Sequence, residues 1–138
     1  MNELFQKKVY IIVLNWNSGS DTIDCIASIL KLEYVKYQII ICDNGSTDNS
    51  LFEIKNWIRN YAAYNFIGLK YTEISKEESE INPINDDSKI IIINNNDNIG
   101  YAAGNNVALR YVLKVSNFNY VWILNNIFCF LNNLSFWA

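Results

Sequence analysis

Four short polar clusters interrupt an otherwise apolar chain of 138 residues, and each one ends a run of β-branched or aliphatic side chains. They are Asn15-Trp16-Asn17-Ser18, Asp43 to Asp48, Asn94 to Asn98, and Asn125-Asn126. A carboxylate such as Asp43, placed where an apolar run turns, can accept hydrogen bonds from a nucleobase N–H or from ribose hydroxyls, with strength gained from its charge. The plainer role is a turn aspartate bonded to its own loop. Trp16 offers a flat face on which a base can stack, a contact of about 1–3 kcal/mol in single-strand binders, or it is an ordinary core or rim tryptophan. Asn15 and Asn17 can close the turn by side-chain to backbone bonds, and Asp48 reads as a helix-end residue. Gly100-Tyr101-Ala102-Ala103-Gly104-Asn105-Asn106 brings small residues to a helix start. Such a start lets a ligand approach the backbone and favours phosphate, or it serves close helix–sheet packing.

Other chemistries are excluded by what the chain lacks. Histidine is absent, so histidine bases, histidine metal ligands and Ser-His-Asp triads cannot be built. Formal net charge is -3 and no Lys/Arg cluster exists, so nucleic acid is not an expected partner. GxGxxG and GxxxxGK[ST] are both missing. Cys25, Cys42 and Cys129 are odd in number and widely spaced, which fits small core residues in a reducing compartment rather than zinc. Met1 to Lys8 has no apolar signal-peptide core, and a cytoplasmic location is expected, with peripheral association at the inner face of the membrane. No charge follows Lys114. A membrane span over 115–138 has the required length of about 20 residues. Asn117, Asn119, Asn125, Asn126, Asn132 and Asn133 break that run, however, and a strand with an apolar tail is the preferred reading.

The elements that must position these clusters follow from periodicity. Val9–Leu14, Tyr37–Cys42 and Lys89–Asn94 are apolar, β-branched runs, the mark of strands buried on both faces, and Tyr120–Leu124 reads as a fourth strand ending in Asn125-Asn126. Residues 66–72 form a weaker strand, and 73–88, acidic and with the single proline Pro83, reads as a solvated loop. Ile23, Ile26, Ala27 and Leu30 predict a helix reaching about Lys31; Leu51, Ile54 and Ile58 predict one reaching about Asn60. Ala108, Tyr111, Val112 and Val115 mark a third helix, after a Gly/Asn-rich loop over 95–106. Ser18/Asp21 and Ser50/Glu53 have the spacing of capping boxes. Strands alternating with helices predict an α/β sandwich around a mainly parallel sheet. In such a sheet all four clusters share the carboxyl rim, where ligands bind.

With these residues in view, the chain resembles family 2 glycosyltransferases, most closely their rhamnosyltransferase-like branch. VYIIVLNWN (9–17), IICDNGSTD (40–48), NIGYAAGNN (98–106) and YVWILNN (120–126) carry the resemblance in order and spacing. It implies a GT-A-like, Rossmann-type α/β sandwich, a nucleoside-diphosphate sugar donor, a divalent cation (Mg or Mn), and inverting transfer to a glycan or lipid-linked hydroxyl in cell-surface polysaccharide synthesis. Asp43 then contacts the nucleoside and Trp16 lies near the base, with Asn15 and Asn17 beside it. Asn98, Gly100, Gly104, Asn105 and Asn106 shape the sugar-diphosphate side, and Asn125-Asn126 begin the metal motif.

At 127 the family's metal-binding aspartate is replaced by Ile127, which offers no oxygen ligand. Residues 1–126 read as the nucleotide-sugar-binding half-domain, truncated after the fourth main strand. Residues 127–138 read as an apolar tail outside the family pattern, and the acceptor half with its general base is missing. A truncated enzyme is therefore expected. The alternative is a catalytically inactive nucleotide-binding or partner-binding remnant, and a third reading is a membrane-anchored interaction segment. The last strand is an exposed sheet edge, so self-association is expected there.

Overall fold

The structure is a computed structural model that describes residues 7–65, 68–115 and 118–127. Its elements run β1 (Val9–Asn15), α1 (Gly19–Ile29), β2 (Tyr37–Asp43), α2 (Ser50–Tyr64), β3 (Tyr71–Ser75), α3 (Lys76–Ile81), β4 (Ile90–Asn94), α4 (Tyr101–Val115) and β5 (Tyr120–Leu124). The strands form one sheet in the order β3-β4-β2-β1-β5, and every pair is parallel.

Strand alternation sorts the apolar residues onto two faces. Ile11, Val13, Ile39, Ile41, Ile90 and Ile92 pack with Cys25, Ile26 and Ile29 of α1 and with Ile54 and Ile58 of α2. Tyr10, Ile12, Ile40, Cys42, Ile91 and Ile93 pack with Val107, Ala108, Tyr111 and Val112 of α4. Both faces are covered, which is why these strands read as unbroken apolar runs. Cys25 and Cys42 are buried thiols within these two cores.

The structure departs from the sequence reading in several places. The weak strand lies at Tyr71–Ser75 rather than 66–72, because its limits are set by pairing with β4, from Tyr71↔Ile90 to Ser75↔Asn94. Residues 66 and 67 lie outside the described set. The presumed loop over 73–88 contains α3. Ser75 Oγ accepts from the Glu78 backbone N–H at 3.1 Å while Glu78 accepts from the Ser75 N–H at 2.6 Å, a complete capping box. Neither box expected from the sequence forms. Ser18 Oγ donates to the Asp21 side chain at 2.7 Å instead of meeting the backbone. Ser50 is the first residue of α2 rather than its cap, and it bonds to Asp48.

The buried face of α1 is Thr22, Cys25, Ile26 and Ile29, turned by one residue from the expected set; Ile23 and Ala27 are half-buried. α2 runs past Asn60 to Tyr64, with Trp57 and Tyr61 stacked at 4.8 Å and Ala62 against the core. α4 begins at Tyr101, inside the expected loop.

Among the described residues β5 pairs with β1 alone, and Tyr120 and Ile123 are exposed at that edge. Among the described residues no helix is long and apolar enough to cross a membrane. The expectations for the tail over 128–138, for Cys129 and for most of a span over 115–138 lie outside the described residues.

Candidate functional site

Parallel register brings the strand ends to one edge: Asn15 aligns with Asp43, Asp43 with Asn94, and Asn94 with Ser75. Asn125 and Asn126 follow β5 on the same edge, beside β1. All four polar clusters therefore stand at the carboxyl rim.

Asp43 is only 2% exposed, and its carboxylate is fully engaged at one oxygen. Oδ1 accepts from Asn15 Nδ2 at 2.8 Å and from Ser46 Oγ at 2.7 Å; Oδ2 accepts from the Ser46 backbone N–H at 3.1 Å. Asp43 thus ties its own loop and also grips β1. Asn15, fully buried, accepts from Thr22 Oγ1 at 2.7 Å, and Thr22 in turn accepts from Asn126 Nδ2 at 3.0 Å. A line of hydrogen bonds therefore crosses the rim from the end of β5, through α1 and β1, to the end of β2.

Asn17 adopts the left-handed conformation at φ 46°, a cost asparagine bears better than most residues. Its Oδ1 accepts from the backbone N–H of Thr47 at 2.7 Å and of Asp48 at 3.2 Å, and its Nδ2 donates to Thr47 at 3.1 Å. The loop after β1 is thereby laced to the loop after β2. Trp16, between Asn15 and Asn17, is 50% exposed at this seam and free to offer its face. Asp48 is held below the usual carboxylate range by its bonds from Ser50.

A second network joins β2 to β4 and α4 around Asn44. Its Nδ2 donates to Asn98 Oδ1 at 3.1 Å and to the Gly100 carbonyl at 3.2 Å, and its Oδ1 accepts from Asn95 Nδ2 at 3.1 Å. Asn98 also accepts from the Gly100 N–H at 3.0 Å. Gly104 serves close packing: a Cβ there would meet Leu14 Cδ1 at 2.7 Å and Asn44 Oδ1 at 3.0 Å. Gly100 sits at φ +86° in open space. Asn105 is buried, donates to the Tyr101 carbonyl at 3.0 Å, and leaves its Oδ1 without a partner. Asn106, the next residue, is exposed. Cys42, below this network, has its thiol pushed up to about 12, chiefly by burial.

The residues assigned to a cation do not suit one. Asn126 turns its Nδ2 inward to Thr22, Asn125 Oδ1 accepts the Ile127 N–H at 3.1 Å, and Ile127 has no oxygen on its side chain. Among the described residues, no three His, Cys, Asp or Glu side chains converge on a metal position.

A cavity of about 410 Å³ lies elsewhere, between β3, β4, α3 and α4, lined by Thr72, Ile74, Ile81, Ile84, Ile91 and Tyr111. Glu77, Glu78, Asn82 and Asp86 also line it; Thr72 is bonded to Asp86 and Tyr111 to the Ile84 carbonyl. It contains none of the rim residues.

Thr22, Asn44 and Ser46 carry the rim networks although the sequence reading gave them no role. The signal for Thr22 was present in the i, i+3, i+4, i+7 set 22, 25, 26 and 29, which places a polar residue on an apolar face.

The sequence pattern of the family described as "Glycosyl transferase family 2" matches residues 10–126. A stretch of 42 residues is 40% identical to "Glycosyltransferase GlyG" of Streptococcus pneumoniae serotype 4, covering 30% of this chain and 14% of that protein. The crystal structure of S. aureus TarS 1-349 superposes with a TM-score of 0.56 at 18% identity, over 87% of this chain and 27% of that one. That likeness is one of fold. The chain spans well under a third of either protein.

Proposed function

This chain belongs to glycosyl transferase family 2, and from that premise we propose that its carboxyl rim is the nucleotide end of a sugar-donor site. The donor is a nucleoside-diphosphate sugar, and the protein that carries this domain moves the sugar, with inversion, to a hydroxyl of a cell-surface glycan or lipid-linked acceptor. It works in the cytoplasm, at the inner face of the membrane.

The observation that supports this reading best is Asp43, buried in register between Asn15 and Asn94, with Trp16 exposed at the neighbouring loop. Asp43 Oδ2 has one partner where Oδ1 has two, which leaves it the oxygen better able to take a further N–H or O–H. Trp16 supplies a stacking face beside it. Helix α4 begins across the rim, where its free N–H groups favour a diphosphate.

In inverting transfer the acceptor oxygen bonds to the anomeric carbon as the bond to the diphosphate oxygen breaks, and a base takes the acceptor proton. None of the rim residues is assigned that base, so this chain's part is donor binding and orientation. Because Asn125, Asn126 and Ile127 do not make a cation site, nucleotide binding by these residues is proposed to be independent of Mg²⁺ or Mn²⁺. A purely binding domain, without transfer, is the second reading, and the same ligand-poor end of β5 favours it.

Calorimetry with uridine, thymidine and guanosine diphosphate sugars, with and without Mn²⁺, tests both. Binding of one donor that is unchanged by Mn²⁺ and lost in Asp43→Ala is expected. If none of the donors binds at millimolar concentration, the donor-site reading fails. Turnover that requires Mn²⁺ would show that a cation is held after all.

A further inference from the structure

Thr22 is fully buried on α1, and its hydroxyl links residues at the ends of two neighbouring strands, Asn15 of β1 and Asn126 after β5. The direction of each bond follows from the chemistry of its neighbours. An Asp43 carboxylate only accepts, so Asn15 must present Nδ2 to it, and Asn15 Nδ2 also donates to Ser46 Oγ at 3.1 Å. That orientation leaves Asn15 Oδ1 facing Thr22. A hydroxyl has one proton, and Thr22 gives it to Asn15 Oδ1; its oxygen is then left to accept, which it does from Asn126 Nδ2.

We propose that Thr22 is a positioning residue that locks the Asn15 amide toward Asp43, and that the line Asn126–Thr22–Asn15–Asp43 runs in one direction imposed by the Asp43 charge. Without the Thr22 hydroxyl the Asn15 amide keeps its Nδ2 bonds to Asp43 and Ser46 but loses the bond that holds its Oδ1, so the donor it gives Asp43 Oδ1, beside that from Ser46 Oγ, is held less firmly. The end of β5 thus controls the geometry of a carboxylate two strands away, on residues separated by 83 positions in the chain (126 minus 43). The consequence for ligand affinity rests on the donor-site reading above; the geometry of the line does not.

Two substitutions separate positioning from packing. Thr22→Val keeps the shape and removes the hydroxyl, whereas Thr22→Ser keeps the hydroxyl and removes a methyl group. Asn126→Asp places an acceptor where Thr22 now receives a bond, and draws the single Thr22 proton away from Asn15. The full chain is labelled with ¹⁵N and ¹³C, and hydrogen exchange at the Asn15 side-chain amide is followed by NMR. The dissociation constant is measured in parallel for whichever of uridine, thymidine or guanosine diphosphate binds the parent chain.

Thr22→Val and Asn126→Asp are expected to speed Asn15 amide exchange at least about tenfold and to weaken nucleotide binding about tenfold, equivalent to about 1.4 kcal/mol. Thr22→Ser should stay within about twofold of the parent, as expected when the hydroxyl bond is retained. A larger effect of Thr22→Ser than of Thr22→Val would make the role one of packing and overturn the proposal. So would an Asn15 amide unchanged in both Thr22→Val and Asn126→Asp. If the parent chain binds no nucleotide, it is the donor-site reading that falls, and the amide exchange still decides the direction of the line. Should Thr22→Val not fold, Asn126→Asp against Thr22→Ser gives the same decision.

Discussion

A Cβ atom on Gly45 would stand 2.5 Å from the carbonyl carbon of Asp97, so the loop after β2 and the loop after β4 meet backbone to backbone. Gly45 also holds φ at +71°, a conformation that L side chains rarely adopt. The contact closes the rim on the β4 side, next to the Asn44 network. Gly45→Ala therefore meets both strain and a clash, whereas Gly100→Ala, at φ +86° in open space, meets strain alone. Urea unfolding should show a loss of about 2–5 kcal/mol for Gly45→Ala against about 1–2 kcal/mol for Gly100→Ala. Equal losses would mean that the two loops part readily.

Asp43→Asn keeps the shape of the side chain but puts an amide among three donors, from Asn15, Ser46 Oγ and the Ser46 N–H. At least one of these must lose its acceptor. A stability loss of about 1–3 kcal/mol is expected from the buried donor left unpaired, and nucleotide affinity should fall about tenfold or more with the charge. Calorimetry and urea titration on the same preparation read both. Unaltered affinity would remove Asp43 from the donor site while leaving its part in the fold.

Trp16 presents the opposite case, since half of its surface is already exposed. Trp16→Ala should change stability by no more than about 0.5 kcal/mol and weaken nucleotide binding by about 1–3 kcal/mol if a base stacks on it. A variant that is strongly destabilised would assign the indole to packing.

Lys89, immediately before β4, donates to the Val35 and Tyr37 carbonyls at 2.8 and 2.9 Å over the Tyr37 ring. Burial, then the charge of Lys8, lowers its pKa from 10.5 to about 8. Between those values the unfolded chain binds more protons than the folded one, so this group makes stability rise with pH there and adds a constant penalty below about 8. Urea midpoints of parent and Lys89→Met from pH 7 to 10 should differ by an amount that is flat at first and then moves in favour of the parent. Cys42, raised to about 12, acts in the opposite sense at higher pH but in both proteins alike. A difference independent of pH would show that the two carbonyl bonds keep Lys89 charged.

Strand β5 leaves its outer edge unpaired among the described residues, with Ile123 43% and Tyr120 51% exposed. An apolar edge of this kind is a template for pairing between copies. The 138-residue chain is expected to self-associate in light scattering, and Ile123→Lys to shift it toward monomer. A parent chain that is monodisperse and monomeric would sink this expectation.

The order of strands and helices was legible in the sequence, because a parallel strand buried on both faces is largely apolar, as Val9–Leu14, Tyr37–Cys42 and Lys89–Asn94 are, and the edge strand Tyr120–Leu124, though more exposed, is an apolar run as well. If those strands run parallel, Asn15, Asp43, Asn94 and Asn125 fall on one rim. Local signals fared worse where a neighbouring aspartate competed for the same side chain. Ser18 and Ser50 had the spacing of capping residues, yet each bonds to a nearby aspartate, while the cap that does form, Ser75 with Glu78, lay in a stretch read as loop.

Only the folded chain decided who meets whom across the rim. Thr22 lies between Asn15 and Asn126 because β5 pairs with β1, and Asn44 meets Asn95, Asn98 and Gly100 because β4 pairs with β2. Periodicity records which side of an element faces inward, since that depends on the residue's own neighbours three or four places away. It holds no record of strand order or register, and a hydrogen bond between Asn126 and Thr22, 104 residues apart, depends on both.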